Sequence, residues 1–129
     1  MNIPRYEDKT ILIVEDDPVS QELLKELLVV TRAKLLFAND GVKSIEIYKQ
    51  NSNIDLVLMD IQLPFISGTD AMKQIKEIDK EAIVIAQTAF AMASDKVKYL
   101  KVGFDGYISK PVLPEQLYET LNDCFVLSK

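Results

Sequence analysis

The stretch "ILIVEDDP" occupies residues 11–18. Four apolar residues, Ile11 to Val14, run straight into three adjacent acids, Glu15, Asp16 and Asp17, followed by Pro18. With Thr10 the apolar run has the length of a strand. It does not alternate with polar residues, so both of its faces are covered, as in a parallel sheet. Acids this close repel one another, and any that are partly buried also lose hydration. The charge that compensates them must come from elsewhere in the chain or from an ion.

The pattern repeats outward from this point. Residues 18–30 place Val19, Leu23, Leu27 and Val30 at helical spacing, with Pro18 suited to the first turn and Asp17 to the N-cap. "KLLFA" (34–38) reads as a second strand, and "NDG" (39–41) leads into a helix carrying Val42, Ile45 and Tyr48 on one face. "DLVLM" (55–59) is a third strand that again runs into an acid, Asp60. A loop, "QLPFISG" (62–68), then gives way to a helix from Thr69 to Ile78, with Met72, Ile75 and Ile78 facing inward. "AIVIAQ" (82–87), a helix over 91–102, "GYIS" (106–109) and a last helix lined by Leu117, Leu121 and Phe125 complete the series. Cys124 lies among these as a small core residue.

Strands alternating with helices predict a doubly wound α/β fold, a parallel sheet with helices on both faces. In such sheets sites form beyond the carboxyl ends of the strands. Glu15 and Asp16, Asp60, Thr88 and Lys110 each stand at a strand end, so one edge of the sheet gathers them. Three converging acids suit a hard cation with oxygen ligands, Mg²⁺ above all. Asp16 and Asp60 are the candidate direct ligands, Glu15 acts through water, and the backbone carbonyl of Gln62 completes the protein share. A carboxylate beside such an ion can attack phosphorus, with Lys110 and Thr88 steadying the phosphoryl oxygens.

Composition narrows the field. The chain has 129 residues, 48% hydrophobic and 27% charged, with a net charge of −5, one cysteine and no histidine. That is enough for one ordinary domain, with residues 1–9 as an extension or linker and 10–129 as the folded unit. A lone Cys124 forms no internal disulfide, and with no signal-peptide pattern the expected location is cytoplasmic. The acidic balance argues against direct nucleic-acid binding, and no apolar run is long enough for membrane insertion. Without histidine, Ser-His and Cys-His catalysis and His-based zinc sites are excluded.

The stretches "ILIVEDDP" (11–18), "DLVLMDIQLP" (55–64), "QTA" (87–89) and "GYISKP" (106–111) together resemble the receiver domains of two-component response regulators. The likeness covers about residues 10–127, and "MDIQLP" and residues 88–112 are most similar to receivers of hybrid sensor histidine kinases. It implies a flavodoxin-like (βα)5 three-layer sandwich with strand order 2-1-3-4-5, an order known for receiver domains as a group. It implies Asp60 as phospho-acceptor, Glu15 and Asp16 as the Mg²⁺-holding pair (Mn²⁺ substituting), Thr88 and Tyr107 as the switch, and Lys110 as the phosphoryl contact. Gln62 and Phe90 fall where the family tunes phosphoryl lifetime, and the Lys110–Pro111 bond is cis in similar proteins.

The implied activity is not that of an enzyme acting on other molecules. The domain catalyses only its own phosphorylation and dephosphorylation. Its phosphohistidine donor, a sensor histidine kinase or histidine phosphotransfer domain, lies outside this histidine-free chain. The implied output surface is helix 4, strand 5 and helix 5, facing an output domain or protein. Three other readings fit less well. A haloacid-dehalogenase-like phosphatase needs an acid where Gln62 stands. A flavodoxin-like carrier needs a phosphate cradle where the acidic loop stands. A degenerate receiver would lack one of the acids present here.

Overall fold

The computed structural model describes residues 2–89 and 93–127. Ten elements follow in strict alternation: β1 (Thr10–Val14), α1 (Pro18–Val29), β2 (Lys34–Ala38), α2 (Gly41–Gln50), β3 (Leu56–Asp60), α3 (Gly68–Ile78), β4 (Val84–Thr88), α4 (Ala93–Val102), β5 (Gly106–Ser109) and α5 (Pro114–Leu127). All strand pairs are parallel, and their order is β2-β1-β3-β4-β5. This is the expected doubly wound sheet.

The unbroken apolar runs follow from this layering. Successive side chains on a strand point to opposite faces. Ile11 and Ile13 of β1 pack with Leu24, Leu28, Leu117 and Leu121 on one face. Leu12 and Val14 pack with Ile45, Met72 and Ile75 on the other. Every residue of β1, β3 and β4 is buried, while the edge strand β2 is only half covered.

The register places two acceptor-edge residues inside the ladder. Asp60 pairs with Gln87, and Thr88 pairs with Ser109. The third and fourth strands thus run 56–60 and 84–88 instead of 55–59 and 82–87. The late start of β4 follows from a turn in which the Ala82 N–H donates to the Asp79 carbonyl at 3.0 Å.

Helix α1 differs from its expected inner face. Val19 and Val30 are exposed, Leu23 is largely so, and Leu24 and Leu28 face the sheet. The sequence carries two overlapping stripes there. The one that wins runs Ser20, Leu24, Leu28, Thr31, and its polar ends conceal it. The Ser20 hydroxyl donates to Asp17 at 2.8 Å, and the fully buried Thr31 hydroxyl donates to the Leu28 carbonyl at 2.5 Å. Each hydroxyl is satisfied locally, so neither opposes burial. Val42 and Ile78 are likewise exposed, at the margins of otherwise correctly read faces. Asp17 is the N-cap of α1, accepting from the Ser20 N–H at 3.0 Å.

The segment before β1 is tied to the body. Tyr6 is 7% exposed, its ring meets Phe125 edge-on at 4.8 Å, and its hydroxyl donates to Asn122. Among the described residues, no helix is long and apolar enough to cross a membrane.

Candidate metal and phospho-acceptor site

The carboxyl ends of β1, β3, β4 and β5 bring five of the sequence-predicted residues together. One carboxylate oxygen each from Glu15, Asp16 and Asp60 lies within 4.8 Å of the others. Glu15 is fully buried, Asp60 is 5% exposed and Asp16 faces solvent. Lys110 reaches across from the end of β5. Its Nζ donates to Glu15 Oε1 at 2.7 Å and to Asp60 Oδ2 at 3.1 Å. The other Asp60 oxygen accepts from the Gln62 N–H at 3.0 Å. Thr88, 1% exposed, ends β4, and its carbonyl accepts from the Lys110 N–H at 2.8 Å. The Lys110–Pro111 bond is cis, as the resemblance implied.

Electrostatics match this arrangement. Burial raises the Glu15 pKa, the neighbouring Asp60 raises it further, and Lys110 opposes both. Burial alone would lower the Lys110 pKa, but the Glu15 and Asp60 carboxylates hold it above its usual value. Three carboxylates against one ammonium leave an excess of two negative charges. An all-oxygen donor set with that excess fits a hard divalent ion.

Neighbouring backbone fixes the acids in place. The Gln21 side-chain amide donates to the Glu15 carbonyl at 2.5 Å and to Asn39 at 2.9 Å, latching the loop after β1 to that after β2. Gly68 opens α3 directly against the end of β3, and its N–H donates to the Ile61 carbonyl at 2.9 Å. A Cβ on Gly68 would meet the Asp60 backbone, so only glycine permits this approach. Sequence reading gave neither Gln21 nor Gly68 a role. For Gly68 the available signal was a glycine right after a helix-capping serine, Ser67.

Tyr107 pairs in register with Ala86 of β4, two residues before Thr88. It is half-buried on β5 and stacks on Tyr99 of α4, with centroids 5.9 Å apart. Gln62 lies in the exposed loop after Asp60. Phe90 lies outside the described residues.

The sequence and the fold both have known relatives. A model of the response regulator receiver domain matches residues 11–122. Hybrid signal transduction histidine kinase I of Dictyostelium discoideum is 38% identical over 120 residues, which is 87% of this chain but only 7% of that protein. Among solved structures, the CheX–CheY–BeF3–Mg²⁺ complex of Borrelia burgdorferi matches with a TM-score of 0.86 at 26% identity, covering 95% of this chain and 96% of that one. A co-crystal structure of the Saccharomyces cerevisiae histidine phosphotransfer protein Ypd1 with the receiver domain of its downstream response regulator Ssk1 matches with a TM-score of 0.83 at 28% identity. That match covers 100% of this chain and 95% of the other.

Proposed function

The chain belongs to the response regulator receiver domain family, and we propose that Asp60 accepts a phosphoryl group from a phosphohistidine in a Mg²⁺-dependent reaction that switches the domain's conformation. The observation that carries this reading is the Lys110 ammonium shared between Glu15 and Asp60, beside a triad of carboxylate oxygens within 4.8 Å.

In the proposed step an Asp60 carboxylate oxygen attacks phosphorus, the phosphorus–nitrogen bond to the donor imidazole breaks, and an acyl phosphate forms on Asp60. Asp16 and Asp60 would hold Mg²⁺ directly and Glu15 through water, with the Gln62 carbonyl completing the set. Mn²⁺ would serve in its place. The bound ion supplies charge neutralisation for the phosphoryl oxygens. Lys110 moves from a carboxylate contact to a phosphoryl contact, and the Thr88 hydroxyl donates to another oxygen. Gln62 and Phe90, the second residues after Asp60 and Thr88 in the sequence, tune its lifetime.

The switch reading rests on adjacency. Thr88 is one strand away from Tyr107, whose register partner is Ala86. Movement of Thr88 toward the phosphoryl group would free space for the Tyr107 ring, changing the α4–β5–α5 face. The partners would be a cytoplasmic histidine kinase or phosphotransfer domain as donor, and an output domain or protein on that face. A structure similar to this chain contains a phosphotransfer protein, which supports the donor reading.

The test is incubation with acetyl phosphate and Mg²⁺, followed by intact mass measurement. A gain of one phosphoryl group is expected, lost without the metal and lost in Asp60→Asn. No gain under any of these conditions would overturn the proposal.

A further inference from the structure

The three acids are not held alike. Glu15 and Asp60 share the Lys110 ammonium, and Asp60 also accepts from the Gln62 N–H. Asp16 is the exposed member, and among the described residues none donates a hydrogen bond to its carboxylate. Yet one of its oxygens lies within 4.8 Å of an oxygen on each of the other two. Its aim is therefore set through the backbone.

The residue before Asp16 is pinned at both of its backbone polar groups. The Glu15 N–H donates to the Ala38 carbonyl at 3.1 Å, and the Glu15 carbonyl accepts from Gln21 Nε2 at 2.5 Å. That carbonyl belongs to the planar peptide unit that ends at the Asp16 Cα, so holding it fixes the plane from which Asp16 hangs. Gln21 is itself held. Its Nε2 also donates to Asn39 Oδ1 at 2.9 Å, and a carboxamide has only these two hydrogens to give. Its backbone N–H donates to the Asp17 carbonyl at 2.9 Å in the first turn of α1.

We propose that Gln21, steadied by Asn39, is a positioning residue for the divalent ion: it aims the Asp16 carboxylate and thereby sets the affinity of the acidic site, an inference that rests on reading the three acids as a Mg²⁺ site. Groups that orient a metal ligand typically change metal affinity by about 10–100-fold. The lower end applies here, because Gln21 acts through the backbone and on one acid of the three.

Gln21→Met keeps the chain length and the charge and removes both hydrogen bonds. In the metal-free protein the NMR order parameter of the Asp16 N–H should fall from the rigid value of about 0.85 toward about 0.6, with those of β1 unchanged. By calorimetry, Mg²⁺ affinity should fall about tenfold in Gln21→Met and about threefold in Asn39→Ala. In Asp16→Asn, which has no carboxylate to aim, adding either change should weaken the residual affinity by less than about twofold. Asn39 is exposed, so Asn39→Ala serves should Gln21→Met not fold. An unaltered order parameter at Asp16, or equal losses of affinity with and without the Asp16 carboxylate, would overturn the proposal and leave Gln21 a purely structural latch. If the unaltered chain bound no Mg²⁺, the metal reading would fall and this proposal with it. The order parameter, measured without metal, tells the two failures apart.

Discussion

A Cβ placed on Gly68 would stand 2.1 Å from the carbonyl oxygen of Asp60 and 2.9 Å from its carbonyl carbon. The first turn of α3 thus rests directly on the backbone that carries the candidate acceptor. Backbone cannot yield as a flexible side chain can. Gly68→Ala is expected to cost about 3 kcal/mol or more in urea unfolding, because α3 or the end of β3 must shift. A variant as stable as the parent would mean that this contact is loose in solution.

Lys110 neutralises two acids that have little water around them. Removing it in Lys110→Ala leaves Glu15 and Asp60 facing each other, both buried. Stability near neutral pH should fall by about 2–4 kcal/mol, the lower end reflecting the partial exposure of the ammonium. With the lysine gone, the folded-state pKa of Glu15, already raised by burial and by Asp60, rises further. Its protonated form then favours folding, so the loss should shrink as pH falls toward about 5. Urea melts at the two pH values decide the point. A pH-independent deficit would show that lost packing, not charge, is responsible.

Metal binding should depend on pH through Glu15. Burial, with Asp60 next, raises its pKa above the usual 4.5, so the proton competes with a divalent ion in mild acid. Mg²⁺ affinity measured by calorimetry should weaken several-fold between about pH 7 and about pH 5. Glu15→Gln should flatten that dependence. A steeper dependence in the variant would assign the proton to another group.

The opposite end of the molecule predicts alkaline sensitivity. Burial pushes the Cys124 thiol from 9.0 to about 11, and burial with nearby Cys124 pushes the Tyr6 hydroxyl from 10.0 to about 12. Both groups bind their protons more tightly in the fold than in the unfolded chain. The stability they contribute is complete below their unfolded values and is lost as pH rises through the folded ones. Each accounts for about 2 kcal/mol between roughly pH 9 and 12. Cys124→Ala should make the fall in thermal midpoint shallower over that range. An unchanged slope would place the alkaline transition elsewhere.

Much of this site was legible because it depends on chain direction alone. Once alternation shows a parallel sheet, every strand's carboxyl end falls on one edge, and Glu15, Asp16, Asp60, Thr88 and Lys110 are gathered without knowledge of any contact. The face of α1 was not legible, since two stripes compete and the winner ends in Ser20 and Thr31, whose hydroxyls bond within the helix. Gln87 reads as the polar end of a strand, and only the packing of α1 over it reveals a buried amide. Tyr6 fell in what reads as an extension. Its burial comes from Phe125 and Asn122, more than a hundred positions away, and no local pattern reports such a pairing.

The strand order carries a mechanical consequence. Asp60 ends β3, the middle strand of the sheet, paired on both sides and sealed on both faces. Lys110 follows β5, a four-residue edge strand paired only with β4 and half exposed. Local opening is easiest where pairing and burial are least. The acid is therefore clamped in the stiffest part of the domain, and the lysine hangs from one of the most compliant. A new charge on Asp60 would leave its own strand almost unmoved, and the displacement would accumulate at the soft rim, where another protein can feel it.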